Sequence, residues 1–462
     1  MLLNWVYGSS KMDEQNKHHF GAKAWLSAIL IGLAGQVAWA IENQYINLWV
    51  YSQTGDSTYI HWMTVASSIV ATVTTFFMGA LSDRLGKRKI FIAGGYCVWG
   101  VTVFAFGLMS YGNMKSLFPL ANTLFLVGLM NTIVDSVMTF FGSTANDACF
   151  NAHITDTTDT HIRPKVESVL SVLPLFGTTL MLGVGMIFGV PGEAGAKAED
   201  VALPWLYFFL VTGVFVTIIG VLSFFLLPKD KIEPNKEPYF KNLIYGFRPS
   251  IVKKNPLFYI ALLAFMFFNI ACDSWMPYYL VYFQEGLSLD GLEFYLAMGI
   301  ILLVSSIGTV VLGLFMDRIG KLRIAIPALI TLALGSFALF LLKDYALVIV
   351  SATLMMSGYL IGTAVLGAQI RDETPKEGVG LFQGVRMVGA VLIPMTIGST
   401  LSQWSFQTSA LNEYGELAKV PDRNMFLVTM GAALLAIIPT IWLIIKDKKR
   451  KKEAETIAKA EK

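Results

Sequence analysis

Apolar residues run in twelve stretches of about 20, the length a helix needs to cross a hydrocarbon core of ~30 Å. They cover 24–50, 60–82, 90–110, 119–145, 166–190, 204–227, 257–283, 291–316, 323–342, 346–367, 384–403 and 424–445. Polar, turn-forming segments separate them, and the longest interruption, 228–256, divides six from six. The pattern predicts an all-α polytopic membrane protein with two six-helix halves, 24–227 and 257–445. A terminal segment 1–23 precedes them, the linker 228–256 joins them, and a basic tail 446–462 follows. Residues 1–10 are too short an apolar stretch for a cleaved signal peptide. Met1 and Met12 are both possible starts.

Composition agrees with lipid as the main solvent. Of 462 residues 55% are apolar and 15% charged, against roughly 25% charged in soluble domains. A net charge of +3 gives no reason to expect a nucleic-acid partner. Placing the N-terminus in the cytoplasm puts 30 of the 35 Lys and Arg on the cytoplasmic side and 5 outside. The positive-inside bias then predicts a plasma-membrane protein with both termini cytoplasmic. The tail Lys446-Asp447-Lys448-Lys449-Arg450-Lys451-Lys452 would flank the last helix against anionic head groups. Cys97, Cys149 and Cys272 lie far apart, and the five His form no metal spacing. With no nucleotide loop or nucleophile elbow, neither an enzyme nor a cofactor or metal is expected.

The two halves repeat each other. Ala40-Ile41-Glu42-Asn43 and Val50-Tyr51-Ser52-Gln53-Thr54-Gly55 match Ala271-Cys272-Asp273-Ser274 and Val281-Tyr282-Phe283-Gln284-Glu285-Gly286, an offset of 231. Gly79-Ala80-Leu81-Ser82-Asp83-Arg84-Leu85-Gly86-Lys87 matches Gly313-Leu314-Phe315-Met316-Asp317-Arg318-Ile319-Gly320-Lys321, offset 234. Ala152-His153-Ile154-Thr155-Asp156 matches Ala368-Gln369-Ile370-Arg371-Asp372, offset 216. Parallel repeats of this kind occur in transporters that rock one half against the other.

The loop Gly-x-x-x-Asp-Arg-x-Gly-Lys, present in both halves, resembles the signature loop of the major facilitator superfamily. Asn146 to Asp156, with Arg163 after it, and the linker Tyr239 to Arg248 resemble the corresponding regions of its glycoside–pentoside–hexuronide cation symporters. The chain lacks that branch's Pro-aromatic pair on the fourth helix. It also has no carboxylate in 60–82, where sodium-coupled members cluster acids. The resemblance implies alternating access and a gating role for the loops. In that role Gly79 and Gly313 would admit a neighbouring helix. Asp83 and Asp317 would accept from Arg84 or Arg318 and from nearby helix N-termini.

Four acids fall within or at the edge of spans: Glu42, Asp135, Asp147 and Asp273. A charged carboxylate at mid-bilayer costs at least ~2.5–3.5 kcal/mol, so such acids face water, take a proton or bind a cation. Asn131, Asp135, Thr139, Gly142, Ser143 and Asn146 recur every three or four residues, one face of a helix. That stripe reads as cavity lining or as interhelical hydrogen bonding. Glu42 has Asn43 beside it and Asp273 has Asn269 one turn earlier; the two acids are mates in the repeat and are expected to face each other and share protons. Asp147 stands nearer the cytoplasmic end, where it could cap a loop. Trp39 and Trp275 lie close in sequence to the acids and could present flat faces to a sugar ring. Trp49 and Tyr282 suit the membrane interface. Pro174, Pro277 and Pro394 predict kinks. The expectation is a monomeric secondary transporter that takes up a small polar solute, a sugar or glycoside, with a proton or sodium ion. An exporter or carrier of amphipathic molecules, and a sensor that binds without transporting, are the alternatives.

Overall fold

In the computed structural model the backbone is described for residues 20–158, 162–230, 245–375 and 379–460. Among them, twelve helices are long and apolar enough to span a membrane. We number them α1 (Ala22–Thr54), α2 (Ser57–Leu85), α3 (Lys89–Phe106), α4 (Thr123–Thr157), α5 (Lys165–Phe188) and α6 (Ala198–Leu226) in the first half. The second half has α7 (Pro256–Gly286), α8 (Gly291–Gly313), α9 (Lys321–Leu341), α10 (Tyr345–Glu373), α11 (Gly384–Ser405) and α12 (Met425–Arg450). The expected stretches match these in number and order. Most ends move, because hydropathy marks contact with hydrocarbon whereas backbone hydrogen bonding continues past it. Thus α4 runs on to Thr157, α10 to Glu373, and the last helix to Ala460. Most of the expected segment 1–23 and linker residues 231–244 lie outside the described residues.

Small residues set how closely the helices pack. In a membrane, association rests on van der Waals contact and interhelical hydrogen bonds, so backbones must approach. A Cβ added at Gly100 on α3 would overlap the Gly213 carbonyl of α6, and one at Gly213 would meet the Gly100 carbonyl. In the second half, Gly335 on α9 and Gly358 on α10 allow the same intimacy. Between the halves α2 packs against α11 and α5 against α8. Advancing each number by six exchanges these two pairs, as the repeat requires.

Irregular turns break several helices. Wide π turns occupy Ile41–Ile46 in α1, Ser143–Phe150 in α4, Tyr282–Gly286 in α7 and Val388–Leu392 in α11. Such turns often mark functional positions. The expected proline kinks fall at interruptions. Pro174 opens the helix after the break at Ser171–Val172, Pro277 sits in the break of α7, and Pro394 follows the π turn of α11.

The hydrophobic pattern does not announce the segment between α11 and α12. It forms an antiparallel hairpin, β1 (Ser409–Leu411) with β2 (Leu417–Lys419), in register Ser409↔Lys419. The hairpin belongs to the second half but lies on the first. Tyr414 stacks on Tyr111 with ring centroids 4.0 Å apart. Asn412 Nδ2 donates to the Thr54 carbonyl (3.2 Å), and Glu413 accepts from the Ala198 amide (3.1 Å). Below it, Ser57 donates to Gln403 (3.1 Å), His61 pairs with Ser399 (3.0 Å) and Ser68 with Thr396 (3.1 Å). All of these ties lie at mid-depth or toward the face opposite the chain termini. Among the described residues no hydrogen bond or ion pair joins the halves at the terminal face. There each half binds itself: Arg88 to Asp83 and Asp156 (3.2 Å), and Lys321 to Asp372 (2.6 Å).

Candidate functional site

Glu42, Asp135 and Asp273 come together at one cavity between the halves, with Asn43, Asn47, Met63, Thr64, Ser67, Met276, Pro277 and Met395. The cavity volume is about 30 Å³, room for one or two waters. The first half brings Glu42 on the π turn of α1, Asp135 on the straight part of α4, and the hydroxyls of α2. The second half brings Asp273 and Met276 from α7, where the helix breaks, and Met395 from α11.

The carboxylates of the first half are linked. Thr139 Oγ1 donates to Glu42 Oε1 (2.8 Å), and Ser67 Oγ donates to Asp135 Oδ2. The two hydroxyl oxygens are 3.0 Å apart. Glu42 is 6% exposed and Asp135 1%. Their other oxygens, Glu42 Oε2 and Asp135 Oδ1, are buried without a hydrogen-bond partner among the described residues. No described Lys or Arg pairs with either. The expected sharing between Glu42 and Asp273 is therefore not what the hydrogen bonds show. Asp273 faces the same cavity, half-buried, while the bonded chain from Glu42 leads to Asp135.

Several other expected residues sit elsewhere. Asn131 is buried in the first half, donating to the carbonyls of Met109 (3.2 Å) and Val127 (2.9 Å) and accepting from Trp49 Nε1 (3.2 Å). It ties helices together rather than lining the cavity, and it draws Trp49, expected at the interface, into the core. Asn269 likewise ties α7 to α11 through the Ala390 carbonyl (3.1 Å). Trp39 packs edge-on against Trp99 at 4.9 Å. Trp275 is buried against Tyr279 and Tyr359. Neither tryptophan lines the cavity: Trp275, two residues from Asp273, points to nearly the opposite face of its helix, and Trp39, three residues before Glu42, is turned onto Trp99 of α3. Asp147 is half-buried within the π turn of α4 and does not line it. Ser67 and Thr64 escape a reading that weighs only acids and amides. The signal was present as Thr64, Ser67, Ser68, Ala71, Thr72 and Thr75, small residues recurring at three and four along α2.

The signature loop also departs from expectation. Asp83 pairs with Arg88, not Arg84, and Arg84 is exposed. Arg88 is buried, reaching Ser82 as well as both acids. Burial pulls the Arg88 guanidinium down, and the Asp83 and Asp156 carboxylates more than reverse that, holding it above its ordinary value. A Cβ at Gly79 would meet Ala148 at 3.8 Å, an ordinary contact, and at Gly313 it would meet no described atom within 4 Å. Close approach is thus not the reason for Gly313 in this conformation. The side chains of Asp317 and Arg318 lie outside the described residues. Arg450, expected at lipid head groups, instead holds Glu373 of α10 (2.9 Å) and Asp447 (2.7 Å).

Solved structures share this architecture. The chain is similar to the xylose transporter of E. coli in a partially occluded inward-open conformation, at 14% identity and TM-score 0.62, over 90% of this chain and 98% of that one. It is similar to a nucleoside transporter at 12% identity and TM-score 0.62, over 91% and 98%. A bacterial homologue of the human lysosomal transporter Spinster, inward-facing and occupied, aligns at 13% identity and TM-score 0.63, over 92% and 96%. No curated protein sequence matches the chain. Residues 24–399 match the Major Facilitator Superfamily, and with that span matched the chain belongs to this superfamily of transporters, not to any class of enzyme.

Proposed function

We propose that this transporter takes up a small polar solute, a sugar or glycoside, together with protons, as a member of the sugar–cation symporter branch. One observation carries the reading: three carboxylates from both halves meet at a cavity on the line where the halves join, with no Lys or Arg among its described lining residues. A cavity of that kind supplies hydroxyl acceptors and a titratable group at the point of alternating access. The xylose and nucleoside transporters of like fold handle polar solutes of similar chemistry. With the terminal face in the cytoplasm of a plasma-membrane protein, as the Lys and Arg distribution predicts, the ties at the opposite face support an inward-facing reading of this conformation. Sodium is the other possible coupling ion, and the absence of a carboxylate in 60–82 favours the proton.

The test is a pH and sodium recording on proteoliposomes challenged with a panel of sugars and glycosides. Solute-dependent alkalinisation outside, lost in Asp273→Asn and Glu42→Gln, is the expected result. Three methionines, Met63, Met276 and Met395, also line the cavity, and such adaptable apolar side chains suit an amphipathic cargo. Dye or lipid movement under an imposed proton gradient, with no sugar flux, would replace the sugar reading with that one.

A further inference from the structure

The contacts between Glu42 and Asp135 can be counted. Three run in series: Glu42 to Thr139 at 2.8 Å, Thr139 to Ser67 at 3.0 Å, and Ser67 to Asp135. Each needs one hydrogen, and the two hydroxyls supply two. With both acids ionised, each hydroxyl proton points outward to a carboxylate, and the middle contact holds none. One carboxyl proton completes the series. Either Asp135 donates to Ser67, Ser67 to Thr139 and Thr139 to Glu42, or every bond reverses. A second proton would have to sit on Glu42 Oε2 or Asp135 Oδ1, which are buried with no hydrogen-bond partner among the described residues. A buried donor left unpaired costs about 1–3 kcal/mol. Two bare carboxylates here would repel each other with no described cation to offset them.

We propose that Glu42 and Asp135 form one proton site, holding a single proton that Ser67 and Thr139 relay between α1 and α4. In the transfer, the O–H bonds of Asp135, Ser67 and Thr139 break, and new ones form on Ser67, Thr139 and Glu42. One proton moves from Asp135 to Glu42 and no electrons change hands. The remaining ionisable groups nearby are accounted for. Asp147 lies within electrostatic reach of Glu42, Asp273 faces the cavity from α7, and His61, higher on α2, is taken up by Ser399. Oxygens that touch in series form a chain, whereas a sodium ion needs them converging on a point.

The relay is confined to the first half. The repeat offsets place Ser351 opposite Asp135, Met355 opposite Thr139 and Ile301 opposite Ser67. The equivalent positions of the second half therefore carry neither a second acid nor the two relaying hydroxyls.

The inference rests on the proton-coupled reading for its part in transport, but its test needs no solute. Infrared spectra of the full chain in lipid nanodiscs at neutral pH would be compared with those of the Glu42→Gln/Asp135→Asn double variant. The expected difference is one carboxylic-acid carbonyl band per chain. Carbon-13 in the Asp carboxyls should shift part of that band, and carbon-13 in the Glu carboxyls the remainder. Ser67→Ala with Thr139→Val should leave a band that moves wholly with one label, and Thr139→Ser should restore the sharing. Two equivalents, none, a wild-type band owned by one residue, or a band removed by sodium but not potassium chloride would overturn the proposal. A failed sugar panel would leave this spectrum unchanged. A failed spectrum would still allow solute-driven proton flux through Asp273.

Discussion

Arg88 shows how a single side chain organises a loop. Its guanidinium is 6% exposed, whereas Asp83 and Asp156 are 47% and 34% exposed, so water screens much of the attraction. The pairs should contribute on the order of 1 kcal/mol, as partly exposed ion pairs do. Arg88→Met is expected to lower the unfolding midpoint by a few degrees and to leave Asp156→Asn with little further effect. Thermal melts of both single variants and the double variant check this as a cycle. Residue types were legible here, but partners were not. The motif put Asp and Arg side by side at 83 and 84, yet neighbours on a helix point about 100° apart. The helix ends at Leu85 and the chain turns at Gly86, which carries Arg88 back over Asp83. Asn131 taught the same lesson. A polar stripe fixes a helix face, and only the neighbouring helices decide whether that face meets water or, as here, Trp49 and Met109.

At the scale of elements, the closest packing and the loosest attachment yield opposite expectations. Any side chain at Gly213 meets the backbone of α3, so Gly213→Val should destabilise the first half by about 1–3 kcal/mol. The loss would be read as a lower melting point of the detergent-solubilised protein. The hairpin β1–β2 acts on conformation rather than folding. Its Tyr414–Tyr111 stack exists only while that face is closed, and such a pair contributes about 0.5–1.5 kcal/mol. Tyr414→Ala should therefore favour opening of that face by roughly two- to tenfold. Spin-label distances across α2 and α11 would record the shift, and an unchanged distribution would show the hairpin to be a passenger. Helix existence was readable throughout from hydropathy. The hairpin was not, because its pairing depends on docking against Thr54 and Tyr111, far away in sequence.

For the whole molecule, the two-half architecture and its repeat were already visible in the spacing of the loops. The conformation was not, since the same sequence must satisfy more than one arrangement of the halves. Ser68 and Thr396 touch at 3.1 Å in the arrangement described. A Ser68→Cys/Thr396→Cys pair should oxidise readily, arrest transport, and recover on reduction. Failure to cross-link in native membranes would mean that this face seldom closes.

The duplicated halves have not stayed equal. The relay residues are confined to one copy, and the copy opposite meets the cavity with Asp273, Met276, Pro277 and Met395. This amounts to a division of labour between the two repeated units. On the proposed reading, the first is held constant by its proton site, while the second is at liberty to drift toward new cargo. Changing Met276 or Met395 should then retarget what is carried without uncoupling it, which makes the second half the place to begin redesigning selectivity.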